Sequence, residues 1–206
     1  MNRRRILVVA GAVVGLMLPL WGSSAKAQEP DAALTQQVQK KLAGMTDYGV
    51  FDWVTFEIHG RTAVLHGYAS RPMLKDEAKN VLKGLPGLEA VQNDIEVLPY
   101  SPNDDRIRAS VYNYIYTAPS LSKYNAGAGR LNSRGSIARR AGGITSDPPL
   151  GFHAIHIIVK NGQVTLYGSV LNKADSQIAN MRAHSAPGAF QITNELTIEG
   201  EGHHEK

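Results

Sequence analysis

The sequence contains no cysteine, and this absence excludes several classes of protein. No disulfide, zinc–thiolate site or cysteine nucleophile can form, and a lipoprotein is excluded because its acylated residue is a cysteine. The sequence also has no P-loop, no G-x-S-x-G elbow and no H-E-x-x-H motif, so nothing in it supports catalysis. We expect a protein that is not an enzyme, takes no cofactor or small-molecule substrate, and is stabilised by its own apolar core.

Acidic residues are missing from the N-terminal region of the chain. Arg3 to Arg5 precede an apolar stretch from Ile6 to Trp21, and Ala25-Lys26-Ala27 follows. This order is typical of a secretory signal peptide over residues 1–27, cleaved before Gln28. An uncleaved anchor is the alternative, but the stretch is shorter than the ~20 residues of a spanning helix. We expect export to the periplasm, by the general secretory or the twin-arginine route.

Cleavage of a signal peptide changes what the net charge means. The full chain has 22 Lys and Arg against 18 Asp and Glu, and a pI of about 9.3. Four of the basic residues lie before Gln28, so the rest of the chain is formally neutral and a nucleic-acid partner is not expected. One basic region remains, because no acidic residue occurs from Arg106 to Ser146. Its basic residues are Arg106, Arg108, Lys123, Arg130, Arg134, Arg139 and Arg140.

The chain repeats itself at a spacing of 101 positions, with Phe51 to Val97 aligned without a gap on Phe152 to Ile198. The aligned identities are Phe51 with Phe152, Leu65 with Leu166, Gly67 with Gly168, Ala78 with Ala179, Pro86-Gly87 with Pro187-Gly188 and Asn93 with Asn194. Alternating apolar residues predict strands, and apolar residues every three or four positions predict helices. Each copy therefore predicts an α+β module in the order helix, strand, strand, helix, strand, with a small mixed three-stranded sheet covered by two helices.

Local signals place the ends of these elements. Asp31 and Asp104 are the predicted N-caps of the first helix in each copy, and Asn161-Gly162 predicts a tight hairpin turn. Alanines line the second helix of the second copy, so we expect it to bury less apolar area than its counterpart. The copies differ most between the first helix and the first strand, where the second copy carries a long insert at about 119–150.

These motifs resemble the BON domain, named for bacterial osmotic-stress and nodulation proteins. The family pattern V-x-L-x-G corresponds to Ala63-Val64-Leu65-His66-Gly67 and to Val164-Thr165-Leu166-Tyr167-Gly168. The resemblance implies two tandem BON domains, at 31–99 and at 103–200 with the insert, followed by a tail at 201–206. It also implies non-catalytic binding of phospholipid surfaces or envelope proteins. We interpret Gly67 and Gly168 as architectural residues that permit a close backbone approach in a strand.

The basic insert is the predicted binding site for anionic phospholipid or another polyanion. The residues assigned to it are Lys123, Arg130, Arg134, Arg139 and Arg140, together with Tyr112 and Tyr116 on the helix beside it. Each basic side chain near an anionic membrane contributes ~1 kcal/mol, and tyrosine favours the headgroup layer. Two alternatives stay open: the insert is a solvated segment without a ligand, and the tyrosines pack between the two modules.

The histidines do not predict a metal site, because His153 and His156 fall on opposite faces of a strand and His203-His204 lies in the tail. The leading hypothesis is a non-catalytic periplasmic protein that docks on anionic phospholipid or envelope surfaces and supports envelope integrity or the osmotic-stress response. The alternative is a periplasmic holdase-like chaperone for unfolded or outer-membrane protein clients. Salt separates the two, because ionic docking weakens with ionic strength and apolar client binding does not.

Overall fold

The structure is a computed structural model that describes residues 32–124 and 153–199. The predicted signal peptide, the predicted N-cap Asp31, the tail and most of the insert lie outside the described residues. Within the described ranges the chain forms two modules that share one order of elements. This order confirms the predicted α+β fold with two small mixed sheets.

The first module divides its third predicted strand into two short pieces. Its elements are α1 (Ala32–Ala43), β1 (Trp53–His59), β2 (Thr62–Ala69), α2 (Pro72–Asn80), β3 (Ala90–Asn93) and β4 (Glu96–Val97). β1 and β2 form an antiparallel hairpin, whereas β3 and β4 both run parallel to β2. The break falls at Asp94-Ile95, where the Asp94 amide still donates to the Leu65 carbonyl at 2.8 Å. The sheet therefore has four strands where three were predicted.

The second module keeps its third strand whole. Its elements are α3 (Pro102–Tyr116), a 3-10 helix (Pro119–Tyr124), β5 (Ile155–Lys160), β6 (Gln163–Val170), α4 (Lys173–His184) and β7 (Gln191–Ile198). β5 and β6 are antiparallel, and β7 runs parallel to β6 over its full length. The 3-10 helix is formed by the first six residues of the predicted insert, and it buries Leu121 and Tyr124.

The predicted N-cap at Asp104 is wrong. Ser101 caps α3, and its hydroxyl oxygen accepts a hydrogen bond from the Asp104 amide at 3.2 Å. Pro102 explains the difference, because proline favours the first position inside a helix and so leaves the cap to the residue before it. The Asp104 carboxylate instead accepts from the amides of Asn161 (2.9 Å) and Gly162 (2.8 Å). It therefore ties the start of α3 to the β5–β6 turn, where the predicted Asn-Gly pair has positive φ values of 53° and 79°.

Each sheet carries its helices on one face, and part of its opposite face is buried as well. In the first module Leu34, Val38 and Leu42 of α1 pack with Leu65 and the other inward-facing strand residues. Strand alternation points Val64 and Ile158 to the faces without helices. Both are nevertheless buried, at 8% and 3% exposure. The helix-free faces of the two sheets are therefore covered in part, around Val64 and Ile158.

The core of the second module combines small and large side chains. Ala179, Ala183 and Ala186 are buried along and just after α4, as the sequence predicted. The same core cluster contains Tyr112 and Tyr116 of α3, each only 1% exposed, together with Tyr124 of the 3-10 helix. Interiors are close-packed, so small side chains on one element require large ones on another. The tyrosines supply the volume that the alanines leave.

Gly67 and Gly168 occupy equivalent points on β2 and β6. Their φ angles are 112° and 119°, values that residues with side chains rarely adopt. A Cβ at Gly67 would lie 2.0 Å from the carbonyl oxygen of Trp53, and one at Gly168 would lie 2.0 Å from that of Ala154. Any side chain at these positions would therefore collide with the backbone of the neighbouring strand.

Candidate functional site

The junction between the two modules is built from aromatic side chains on the helix-free strand faces. The Trp53 ring stacks on Tyr167 with centroids 5.4 Å apart and an interplanar angle of 6°. His156 lies between Tyr48 and Trp53, with centroids 5.2 Å from each. Tyr68 contacts Tyr167 at 6.3 Å. Offset and tilted ring pairs of this kind each add about 0.5–1.5 kcal/mol beyond the area they bury.

The connector between α1 and β1, defined here as residues 44–52, contributes backbone as well as side chains to this junction. The Ile157 amide donates to the Val50 carbonyl at 2.8 Å, so the connector covers part of the free edge of β5. Val50 and Phe51 are fully buried and belong to the core of the second module. The Phe51 ring meets Tyr112 edge-on at 6.1 Å. The second module is therefore completed by residues of the first.

A buried aspartate fixes the shape of this connector. Asp52 has no solvent exposure, and its carboxylate accepts from the amides of Gly49 at 3.0 Å and Ser70 at 2.6 Å. Burial raises the pKa of Asp52 above its ordinary value, whereas the two amides and the Arg71 charge act in the opposite direction. The carboxylate holds the connector against the end of β2, and this places Val50 and Phe51 for their contacts.

His156 is held at the centre of the junction in its neutral form. Its side chain is 4% exposed, and its Nδ1 lies 3.2 Å from the Gly49 carbonyl oxygen. Burial, helped by the nearby His153, lowers the pKa of His156 from 6.5 to about 4. An imidazole with a neutral ring can donate from Nδ1 to a carbonyl while its faces contact aromatic rings. Protonation would place a charge among these apolar surfaces, at a cost in stability.

A cavity of about 870 Å³ opens where the two modules meet. Its apolar wall comes mainly from the first module, including Leu42, Met45 and Phe56, and its polar groups include Glu195 and Glu199 of the second. Cavities of this size with an apolar wall and a few polar groups are typical binding sites for small apolar molecules or side chains. Tyr124 and His153, which flank residues 125–152, also line it.

The described residues offer neither a metal centre nor a membrane span. Within 32–124 and 153–199, no group of three or more His, Cys, Asp or Glu side chains is placed to hold a metal ion. Over the same ranges, no helix is both long enough and apolar enough to cross a bilayer. His153 and His156 point to different surroundings: the former contacts the rings of Tyr112 and Tyr116, and the latter those of Tyr48 and Trp53.

Among the basic residues predicted to bind lipid, Lys123 lies within the described chain and Arg130, Arg134, Arg139 and Arg140 do not. Lys123 is partly exposed, with its Nζ 2.7 Å from the Asp175 carboxylate and 5.3 Å from the Tyr124 ring centroid. Tyr124 donates to the same carboxylate at 2.5 Å. Lys123 therefore also has a structural role, because it helps to fasten the 3-10 helix to the start of α4.

The two tyrosines assigned to the same site lie in the core. Tyr116 donates its hydroxyl to the Ile155 carbonyl at 2.5 Å, and Tyr112 packs against Tyr116 at 4.9 Å. Tyr112 also contacts Phe51 from the connector, so it packs against a residue of the first module. Rings that are 1% exposed have no surface left for a headgroup. The exposed tyrosine of this helix is Tyr114, at 37%.

Sequence reasoning missed two features, the burial of Arg108 and the aromatic junction. Arg108 belongs to the basic region but is 1% exposed, pairs with Asp105 and donates to the Val159 carbonyl at 2.7 Å. The aromatic junction was not predicted either, although the sequence carries a signal for it. Ile157, Ile158 and Val159 are consecutive apolar residues, and such a run indicates a strand that is buried on both faces.

The described chain thus consists of two α-β-β-α-β modules that contact each other through their helix-free faces. The chain belongs to the BON domain family, which matches residues 30–99 and 142–200, more than half of its length. The family is one of non-catalytic binding domains. The second match begins after α3, although α3 packs on the second sheet as α1 packs on the first. The predicted domain limits of 31–99 and 103–200 stay predictions.

Comparisons with individual proteins add little to this assignment. A comparison with curated proteins gives no sequence match. Among solved structures, the chain is similar to the C-terminal domain of CdsD, the structural protein of the type III secretion system of Chlamydia trachomatis. The identity is 13%, the TM-score 0.26, and the match covers 82% of this chain and 98% of that one. A second CdsD structure matches with 13% identity, a TM-score of 0.26 and coverage of 81% and 92%. At these scores the similarity carries no functional argument.

Proposed function

We propose that this chain is a non-catalytic periplasmic protein that docks on anionic phospholipid surfaces and supports the integrity of the envelope under stress. The observation that carries the proposal is the run from Arg106 to Ser146, which holds seven basic residues and no acidic one. The N-terminal pattern of a signal peptide supports delivery to the periplasm. Membership of a family of binding domains supports binding without catalysis.

The structure refines which charges are available for docking. Arg108 is buried in an ion pair, and Lys123 is engaged by Asp175. The docking charge therefore rests on Arg106 and on the four arginines from Arg130 to Arg140. Five arginines at ~1 kcal/mol each suffice to hold a water-soluble protein at an anionic surface.

Co-sedimentation with vesicles tests the proposal. The chain from Gln28 onward keeps every described residue and lacks the N-terminal apolar stretch, so we would mix it with phosphatidylglycerol-containing and with pure phosphatidylcholine vesicles. We expect it to pellet with the anionic vesicles alone, and to be released between about 0.05 and 0.5 M salt as screening increases. A chain that stays in the supernatant with both kinds of vesicle would refute the proposal.

Matched variants assign the binding to the insert. Replacing Arg130, Arg134, Arg139 and Arg140 by glutamine should abolish pelleting, whereas replacing the same four by lysine should preserve most of it, because lysine keeps the charge. The substitutions leave Lys123 and Tyr124 in place, so the fastening of the 3-10 helix to α4 is undisturbed. Equal pelleting of the glutamine and lysine variants would move the docking site away from the insert.

The second candidate function is a holdase-like chaperone, and the junction cavity favours it. Its volume of about 870 Å³ and its apolar wall fit an apolar segment of an unfolded client. Binding of that kind depends on apolar burial, so raising the salt concentration should leave it unchanged. Suppression of the aggregation of a reduced, unfolded protein would be measured at low and high salt. A salt-resistant effect that is removed by Leu171→Asp, a change at an exposed residue of the cavity wall, would favour the chaperone.

A further inference from the structure

The two modules differ sharply at the hairpin end of the sheet. In the first module Arg61, in the β1–β2 turn, pairs with Glu89 and also donates its Nε to the Gly87 carbonyl at 3.2 Å. The repeat spacing of 101 places Gly162 where the first module has Arg61, and Phe190 where it has Glu89. A surface ion pair is thus replaced by a glycine and an aromatic ring.

Phe190 is 88% exposed, more than any other large apolar side chain of the described residues. Its Cδ2 lies 3.6 Å from the point where a Cβ on Gly162 would stand, so the ring lies beside the bare backbone of the turn. A phenylalanine buries its ring wherever the fold allows, because removing it from water is worth about 1.5–3 kcal/mol. Among the described residues nothing covers the Phe190 ring, which leaves it accessible to a binding partner.

Three elements meet at this end of the second module, and we call them the tip: residues 101–107, 160–162 and 181–190. The Asp104 carboxylate binds the amides of Asn161 and Gly162, which joins α3 to the turn. A Cβ on Gly188 would stand 3.2 Å from Ile107, which joins the segment after α4 to α3. Phe190 therefore projects from a braced surface, together with Met181, which is 59% exposed.

The tip carries positive charge that nothing within the described chain neutralises. Arg106 and Arg182 are exposed and form no ion pair with any described residue. The acidic side chains of the tip are already engaged, Asp104 by two backbone amides and Asp105 by Arg108. An exposed ring and two arginines without a described acidic partner share this end of the module, and this combination is complementary to a surface that is apolar beneath and anionic above.

We propose that the tip of the second module is the element that enters an anionic phospholipid surface. The Phe190 ring inserts at the boundary between headgroups and acyl chains, while Arg106 and Arg182 contact lipid phosphates. The proposal rests on the proposed docking function and adds to it an insertion site that is separate from the basic insert. It also explains why the second module and not the first has this role, because the Arg61–Glu89 pair makes the hairpin end of the first module polar. Amphipathic surfaces that combine aromatic and basic side chains bind membranes in this way.

The absence of cysteine gives a direct test, since one introduced cysteine is the only thiol in the chain. We would label Phe190→Cys with an environment-sensitive fluorophore and add phosphatidylglycerol vesicles, with Glu89→Cys labelled identically as the matched control. We expect the emission at position 190 to rise at least twofold and shift to the blue on binding, while position 89 stays unchanged. Equal responses at the two positions, or no response at 190 while the protein is bound, would overturn the proposal.

Unlabelled variants measure the contribution of each group. Phe190→Ala should weaken binding to anionic vesicles roughly 10-fold, as expected for loss of a partly buried ring, and Phe190→Leu should restore most of it. Arg106→Gln and Arg182→Gln should each weaken binding about 5-fold at low salt. Met73→Ala removes an exposed apolar side chain of the first module, 55% exposed, and should change nothing. These side chains are exposed, so unchanged melting temperatures verify that the variants fold.

The outcomes separate this proposal from the docking function on which it rests. Binding of the unaltered chain that Phe190→Ala leaves intact refutes the tip and preserves docking through the insert. Binding lost with Phe190→Ala and also with the four insert glutamines supports both elements. No binding of the unaltered chain to anionic vesicles refutes both.

Discussion

In the first module, α2 and the residues after it bury Leu74, Leu82 and Leu85 in the core. In the second module, α4 and the residues after it bury alanines instead. The second core recovers the missing volume from Tyr112, Tyr116 and Tyr124, which come from elements earlier in the chain. Cores tolerate such exchanges when total volume and patterning are kept. The two modules therefore share one backbone plan, whereas the large side chains that fill each core come from different elements.

The redistribution makes the two modules unequal. The apolar cluster of the first module draws its described members from residues before α3. The cluster of the second module includes Val50 and Phe51 from the connector of the first. The dependence therefore runs in one direction, since the second module needs a segment that the first supplies.

The largest expected effect tests what the modules share. Gly67→Ala and Gly168→Ala each place a Cβ about 2.0 Å from a carbonyl oxygen at a positive φ. Each should lower the free energy of unfolding by about 4 kcal/mol or more, the range of the most severe substitutions. Urea denaturation followed by circular dichroism measures both. Similar losses would support equivalent geometry in the two copies, and a mild effect at one site would break the equivalence.

The next prediction tests the direction of dependence. Phe51→Ala removes a fully buried ring and should cost about 3–5 kcal/mol. The loss should fall on the second module, where the ring packs against Tyr112, although the residue belongs to the first. Hydrogen exchange should show faster exchange of α3 and β5 amides than of α1 and β2 amides. Uniform loss of protection across both modules would contradict the one-way dependence.

Acid should act on the junction through His156. Its pKa is about 4 in the folded protein and 6.5 when exposed, so on acidification the unfolded chain takes up the proton first. Stability from this group is therefore complete above pH 6.5 and is lost as the pH falls towards 4, by at most about 3 kcal/mol. Asp52, whose pKa is raised, acts in the opposite sense in acid.

A substitution isolates the histidine from the other groups. His156→Gln keeps a donor for the Gly49 carbonyl and does not titrate, so the difference between its stability and that of the unaltered chain should shrink between pH 6.5 and 4. Unfolding measured at half-unit steps of pH gives that difference. Parallel curves of stability against pH for the two chains would show that protonation of His156 does not destabilise the junction.

The smallest expected effect concerns the hairpin end of the first module. The Arg61–Glu89 pair is about 60% exposed on both sides, and exposed pairs contribute little. Arg61→Ala should change the free energy of unfolding by less than about 1 kcal/mol in thermal or urea denaturation. A larger loss would mean that the polar tip of the first module stabilises the fold.

Patterns that act over short stretches of sequence predicted most of the fold. The order of elements, the Asn-Gly turn and the apolar faces of α1 and α3 are all visible within windows of a few residues, and the repeat is visible from matching residues 101 positions apart. The surroundings of Tyr112 and Tyr116 could not be predicted in this way. A pair of tyrosines on a helix has the same local sequence whether it faces lipid or an alanine-lined helix more than 60 positions further along the chain. The cap was misplaced for a local reason, the strong effect of Pro102.

The candidate site was predictable only in part. Charge counting located the basic region, but it could not show that Arg108 is internal or that Lys123 is engaged. Both facts depend on tertiary contacts, with the Val159 carbonyl for Arg108 and with Asp175 for Lys123. The sequence contains Phe190 but does not show that its ring is exposed. Its difference from the first module becomes clear only when the repeat aligns it with Glu89.

The contact between the connector and β5 has a consequence for the order in which the protein is completed. Gly49 and His156 are 107 positions apart, so a chain delivered from its N-terminus finishes the first core long before β5 arrives. During that interval Val50 and Phe51 lack the core of the second module against which they pack. Closing so long a loop is slow compared with forming local contacts. We therefore expect the second module to assemble after the first, with the connector exposed until β5 pairs with it.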